Sequence, residues 1–295
     1  DNFKKSNFFL NLSNFLNPKF VFNLSLVVEN QYFNQEYKKA KKTLKKFKRE
    51  DNFYYWFRVK KEAKIIAKQR NKNESLNYIT AEFDKIEKPN NKILFDMGNF
   101  YKNSKEYEKA IKYYSTLISK YHLLFMNEEG VTIINASEIL SDLLYRRGGC
   151  YERIGEYKKA DKDLLHALKL DPDDAYVLNY LAYSWLERDY KINEAIKMLQ
   201  KAYELKNDDP YIIDSIGWAY YLTEDFLKAE KFLKRAVELM PDDPVVNDHY
   251  GDILWKLNRK IQARYFWNSV LEMKNTEAEM IENINIKIIE GLKNS

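Results

Sequence analysis

Apolar residues recur every three or four positions along most of the chain, and the pattern is clearest between Pro210 and Asp243. Ile212, Ile213, Ile216, Ala219 and Tyr220 fall on one helical face, and Phe226, Ala229, Phe232, Leu233, Ala236 and Val237 on another. The spacing predicts two amphipathic helices with a break at Thr223-Glu224-Asp225. Asp209 stands where its carboxylate can accept bonds from the free amides of the first turn, and Pro210, which has no amide hydrogen, opens the helix. Pro241-Asp242-Asp243 closes the second helix and caps the next. Pro244 restarts the pattern 34 residues after Pro210. Gly217, without a β-carbon, is expected to lie against Ala229 and let the two backbones approach.

Variations on this unit run along the chain. Residues 1–20 carry Phe8, Phe9, Leu12, Phe15 and Leu16 at helical spacing, as in the second helix of a repeat whose first is not present, or a capping helix. Residues 21–124 hold three units, two of them degenerate. The first is marked by Leu24, Val27, Val28, Ala40, Leu44 and Phe47, the second by Val59, Ala63, Ile66 and Ile79, and the third by Leu94, Met97-Gly98, Tyr101, Ala110 and Tyr114. Residues 125–140 break the period and read as an insertion that lengthens a helix or forms a loop. Four units follow over 141–277, the one at 175–209 being a residue long near Lys191 to Asn193. Residues 278–295 read as a capping helix, with Ala278, Ile281, Ile284, Ile288, Ile289 and Leu292 at helical spacing and Glu277, Glu279, Glu282 and Lys287 on the outer face.

Ile213, Ile216-Gly217, Tyr220, Ala229, Leu233, Ala236 and Pro241 occupy the offsets at which the tetratricopeptide pattern places its large, Gly, aromatic, Ala and Pro residues. The chain resembles that family over about residues 21–277. The resemblance implies an all-α, right-handed superhelical solenoid of antiparallel helix pairs, with a concave groove that binds peptides or protein surfaces. VLNYLAYSWLERDYKINEA, YIIDSIGWAYY and VVNDHYGDILWKLNRKIQARYFW are similar to the C-terminal repeats of bacterial members, many of them envelope lipoproteins or scaffolds. That similarity puts an envelope-associated complex among the expected partners. It leaves the compartment open between the bacterial cytoplasm and, if an N-terminal signal is missing, the periplasmic face of the envelope.

Composition supports helices and adds a charge asymmetry. Only 8 Gly and 6 Pro interrupt 295 residues. Residues 1–90 carry 20 Lys and Arg against 10 Asp and Glu, leaving 29 against 34 in the remainder. Lys38, Lys39, Lys41, Lys42, Lys45, Lys46, Lys48 and Arg49 precede Phe53-Tyr54-Tyr55-Trp56-Phe57, a juxtaposition that suits single-stranded nucleic acid or an anionic surface. Leu44, Phe47 and the aromatic run also fit repeat positions, so packing is the preferred account and nucleic acid a disfavoured partner. The single cysteine, Cys150, excludes an intrachain disulfide and reads as a small buried hydrophobe. No apolar run is long enough to span a bilayer.

In the family's architecture the first helix of each pair lines the groove. Its exposed positions here are Asn179, Tyr180 and Tyr183; Asp214, Ser215, Trp218 and Tyr221; and Asp248, His249, Asp252 and Trp255, with Tyr176 and Tyr211 one turn earlier. Aromatics there supply contact area, and the carboxylates favour a ligand bearing Lys or Arg over an acidic tail. Asp248, His249 and Asp252 share a helix face and could suggest a metal or acid–base set, but no nucleophile elbow or glycine-rich phosphate loop accompanies them. The sequence therefore points to a non-enzymatic adaptor or scaffold with a protein or peptide partner and without catalytic residues, cofactor or metal. The alternative is nucleic-acid or anionic-surface binding through the basic N-terminal third.

Overall fold

The computed structural model describes residues 2–17, 20–126, 133–274 and 276–292, and among them finds sixteen α-helices and no strand. The chain divides into two compact units, Asp1–Leu117 and Ile118–Ser295. In the first, α1 (Asn2–Leu16) packs on α2 (Val21–Phe33), which pairs with α3 (Tyr37–Leu44); α4 (Asn52–Gln69) pairs with α5 (Lys72–Phe83), and α6 (Asn91–Asn103) precedes α7 (Tyr107–Met126). The second holds the pairs α8 (Ile133–Arg153) with α9 (Tyr157–Leu170), α10 (Ala175–Leu186) with α11 (Ile192–Leu205), α12 (Pro210–Leu222) with α13 (Phe226–Leu239), and α14 (Pro244–Lys256) with α15 (Lys260–Glu272). A last helix, α16 (Ala278–Glu290), packs on α15.

Local sequence sets these boundaries. Asp174, Asp209 and Asp243 each accept bonds from two first-turn amides of α10, α12 and α14, and Pro210 and Pro244 follow two of these caps. Each cap satisfies donors that the helix itself leaves free, a contribution of about 1 kcal/mol. The turns within pairs use a left-handed residue at a recurring place: Gln35, Lys105, Gly155, Glu224 and Asn258 have φ between 59° and 77°. The turn between α10 and α11 has two, Asp189 and Lys191, which absorb the extra residue of that unit. Most of the expected insertion at 125–140 becomes helix, since α7 runs to Met126 and α8 starts at Ile133. Residues 127–132 of it lie outside the described residues, as do 293–295 of the expected capping segment.

A missing side chain fixes the spacing within a pair. Gly98, Gly148, Gly217 and Gly251 occupy one repeat position, and each faces the residue sixteen further on, Tyr114, Leu164, Leu233 or Trp267. A β-carbon on Gly217 would sit 2.8 Å from Leu233 Cδ2 and 3.1 Å from the Leu233 amide. The expected partner Ala229 is fully buried, and the three atoms nearest such a β-carbon all belong to Leu233. Trp267, Leu233, Ala236, Tyr250 and Ile253 belong to one continuous apolar cluster between the last two pairs, which Ile284 of α16 closes.

Gly251→Ala should cost about 1–3 kcal/mol, because the new methyl group collides with the fully buried indole of Trp267. Gly149→Ala, whose β-carbon would meet only the Tyr180 phenol and come no closer than 3.4 Å, should be neutral or gain up to ~1 kcal/mol in helix propensity. Urea unfolding followed by circular dichroism separates the two; coincident midpoints would show that the pair spacing is not set at the glycine.

Candidate functional site

In the second unit α10, α12 and α14 lie side by side, so equivalent positions one repeat apart meet across neighbouring helices. Asn179, Asp214 and Asp248 are one such row, Tyr183, Trp218 and Asp252 another, and Tyr180, Ser215 and His249 a third. Nine of the eleven residues singled out from sequence fall in these rows, and Tyr221 and Trp255 stand about one turn further along α12 and α14. Their exposure differs from expectation.

Asp214, Ser215, His249 and Asp252 are buried, at 4–6% exposure, rather than open to the groove. The Oδ2 atom of Asp214 lies 2.8 Å from His249 Nδ1. Its Oδ1, like that of Asn179, is buried with no hydrogen-bond partner among the described residues. Ser215 turns its hydroxyl back onto the Tyr211 carbonyl. Trp218 is sandwiched between His249, with ring centres 4.0 Å apart, and Tyr221, at 4.6 Å, while its indole N–H donates to Glu187 at 3.0 Å. Tyr180 donates to Glu152 across the preceding step. Trp255 packs against Trp267, carries Arg264 over its face and abuts Gly291, so it works as packing between α14, α15 and the end of α16.

The largest departure is Lys287. Placed on the solvent side of a cap by its sequence, its ammonium instead donates to Asp248 Oδ1 at 2.6 Å and to both Asp252 oxygens at 2.8 Å. Asp252 also accepts from the Trp267 indole. Ala278 follows Pro244 by one 34-residue period, so α16 takes the place of the next first helix, and that periodicity is the signal by which Lys287 could have been found.

Electrostatics follow from this pairing. Burial, then the neighbouring Asp248 charge, lifts the Asp252 carboxyl to about 6 against the pull of Lys287 and His249. Burial alone would lower the Lys287 ammonium, but Asp252 and Asp248 more than reverse this and raise it. The imidazole of His249 is likewise raised, burial being outweighed by Asp214 and, further off, Asp248 and Asp252. Burial, then Glu187, pushes the Tyr183 phenol well above its ordinary range. Asp214, Asp248 and Asp252 are thus engaged from within the chain, by His249 and by Lys287, which weakens the ground for expecting a basic ligand. Among the described residues no group of His, Cys, Asp and Glu is arranged to hold a metal ion.

Beside these paired groups lies open space. A cavity of about 740 Å³ is bounded by Arg153 of α8, Val245 and Asp248 of α14, and Met280, Ile286 and Lys287 of α16. Only Asp248 of these belongs to the set read from sequence. Val245 stands at the repeat position of Tyr176 and Tyr211, and the three are 43%, 47% and 56% exposed.

Paired helices, four of the pairs with a glycine at the crossing, define an α-solenoid of two-helix repeats. The tetratricopeptide repeat family model matches residues 141–174, and a second model of the same repeat matches 92–119 and 212–243. TPR repeat-containing protein PA4667 of Pseudomonas aeruginosa is 36% identical over 89 residues, which cover 30% of this chain and 15% of that relative's length. Among solved structures, a tetratricopeptide repeat protein from Parabacteroides merdae is similar with a TM-score of 0.68 at 17% identity, covering 90% of this chain and 97% of that one. TTC0263 of Thermus thermophilus gives 0.54 at 15% identity over 68% of this chain and 100% of its own. P. aeruginosa pilF gives 0.51 at 18% identity over 68% and 85%. The chain thus carries tetratricopeptide repeats over these residues, a repeat that generally mediates protein–protein contacts and scaffolding and is typically non-catalytic.

The pairing of Lys287 has a pH signature. Because the folded-state value of Asp252 lies above its ordinary 3.8, the neutral acid stabilises the fold at low pH, and that contribution is lost as pH rises through about 6. Lys287→Met should cost about 3 kcal/mol above that pH, where it strands the charged Asp252, and less near pH 4, where Asp252 is neutral. Thermal melts of both proteins across this range test it; a pH-independent difference would mean that Lys287 acts by packing alone.

Proposed function

We propose that the second unit is a docking platform for an extended segment of another protein, laid across the exposed edge of α10, α12 and α14. The observation that carries this reading is the row Tyr176, Tyr211 and Val245, repeated once per helix pair and opening at its end into the cavity bounded by Arg153, Met280 and Ile286. Two phenol rings and a branched apolar side chain at regular steps suit alternate side chains of an extended ligand, and rigid aromatics bind at small entropic cost. Apolar and aromatic ligand residues are favoured here. Asp214, Trp218 and Asp252 support the row from behind, holding adjacent helices in register.

The reading separates two kinds of variant. Affinity capture with the intact chain identifies the partner, and titration then compares Tyr176→Ala and Tyr211→Ala with Asp214→Ala. Each tyrosine change should weaken binding by roughly 2 kcal/mol with the melting temperature unchanged. Asp214→Ala should lower the melting temperature by unpairing His249. Full binding by a folded Tyr176→Ala, Tyr211→Ala double variant would rule out the platform.

A further inference from the structure

The first unit carries a helix whose polarity is inverted. α1 meets α2 through polar side chains: Asn23 donates to Ser13 Oγ at 2.5 Å, and Asn30 donates to Asn7 Oδ1 at 2.9 Å. Its other side presents Phe8, Phe9, Leu12, Phe15 and Leu16, which are 63%, 64%, 41%, 80% and 73% exposed. Phe22, Leu26 and Phe33, also exposed, share one stripe of α2. A helix stabilised by burial alone would turn this face inward.

Charge accompanies the apolar face. α3, which also packs on α2, and the turn after it expose Lys38, Lys42, Lys45, Lys46 and Lys48, none of which has an ion pair among the described residues. The two acids of α2 and the turn leading into α3 are already paired, Glu29 with Lys61 at 2.5 Å and Glu36 with Lys39 at 2.7 Å. Eleven Lys and Arg stand against four Asp and Glu in residues 1–50.

We propose that this face docks on an anionic lipid surface, with α1 lying in the interface. Phenylalanine and leucine enter the boundary between headgroups and acyl chains, and the α3 lysines engage lipid phosphates, the combination that holds an amphipathic helix on a membrane without crossing it. Among the described residues no helix is long and apolar enough to cross. Charge decides between occupants. A second copy of the chain would set one excess of lysine against another. Single-stranded nucleic acid would satisfy the lysines but leave Leu12 and Leu16, which offer no stacking surface, in water.

The test uses the full chain and vesicles of phosphatidylcholine alone or mixed with an equal part of phosphatidylglycerol. The protein should co-sediment with the mixed vesicles, with an affinity that falls as salt is added. Two variants substitute exposed residues: Phe9→Ser, Phe15→Ser, Leu16→Ser in α1, and Lys42→Glu, Lys45→Glu in and after α3. Each should bind mixed vesicles at least roughly tenfold more weakly, with circular dichroism and melting unchanged. The proposal is overturned if the protein ignores both vesicles or binds them equally, or if the triple serine variant binds as tightly as the parent. It is overturned equally if light scattering shows that variant to be the monomer of a parent dimer without lipid affinity, or if the parent binds a single-stranded oligonucleotide in place of vesicles.

Discussion

The close approach of two helix backbones at a residue without a side chain is the contact on which the repeat depends. Gly98, Gly148, Gly217 and Gly251 let the first helix of a pair settle onto a large residue of the second, and the size of that residue, from Leu164 to Trp267, is what varies. Once the crossing is fixed, the faces left over are those that meet the neighbouring pairs. A repeat array has no central core, so each of these crossings supports mainly its own pair and the next.

The second level of order is a chain of polar contacts running from one first helix to the next: Glu152 to Tyr180, Glu187 to Trp218, Asp214 to His249, and Asp248 with Asp252 to Lys287. The first unit has its own version, in which Trp56 and Lys60 of α4 share Asp96 of α6. Buried ionic groups are costly when unpaired, so each link holds its two helices to a single register. α16 belongs to this system and does more than cover an apolar surface. Its lysine completes the last link.

Periodicity made the helix pairs, their caps and their order legible, because spacing, Asp-Pro starts and small residues act locally. Three things lay beyond it. Pairing Gly217 with Ala229 matched two small residues, whereas the three atoms nearest a β-carbon on Gly217 all belong to Leu233. The wall carboxylates were legible as positions but not as open or buried, since that depends on partners a full repeat away. The apolar residues of α1 were visible as a stripe, yet a stripe does not reveal which side meets the neighbour, and there the asparagines decided it. The site residues were thus legible as positions along α10, α12 and α14, while Val245 and Lys287, which line the cavity beside Asp248, were not.

Cys150 lies in α8 with no exposed surface, and it is the chain's one sulfhydryl. A thiol reagent can reach it only when that helix loosens from its surroundings. Its labelling rate is therefore a built-in clock for opening at the beginning of the second unit, readable in the unaltered protein and without a signal from any other repeat.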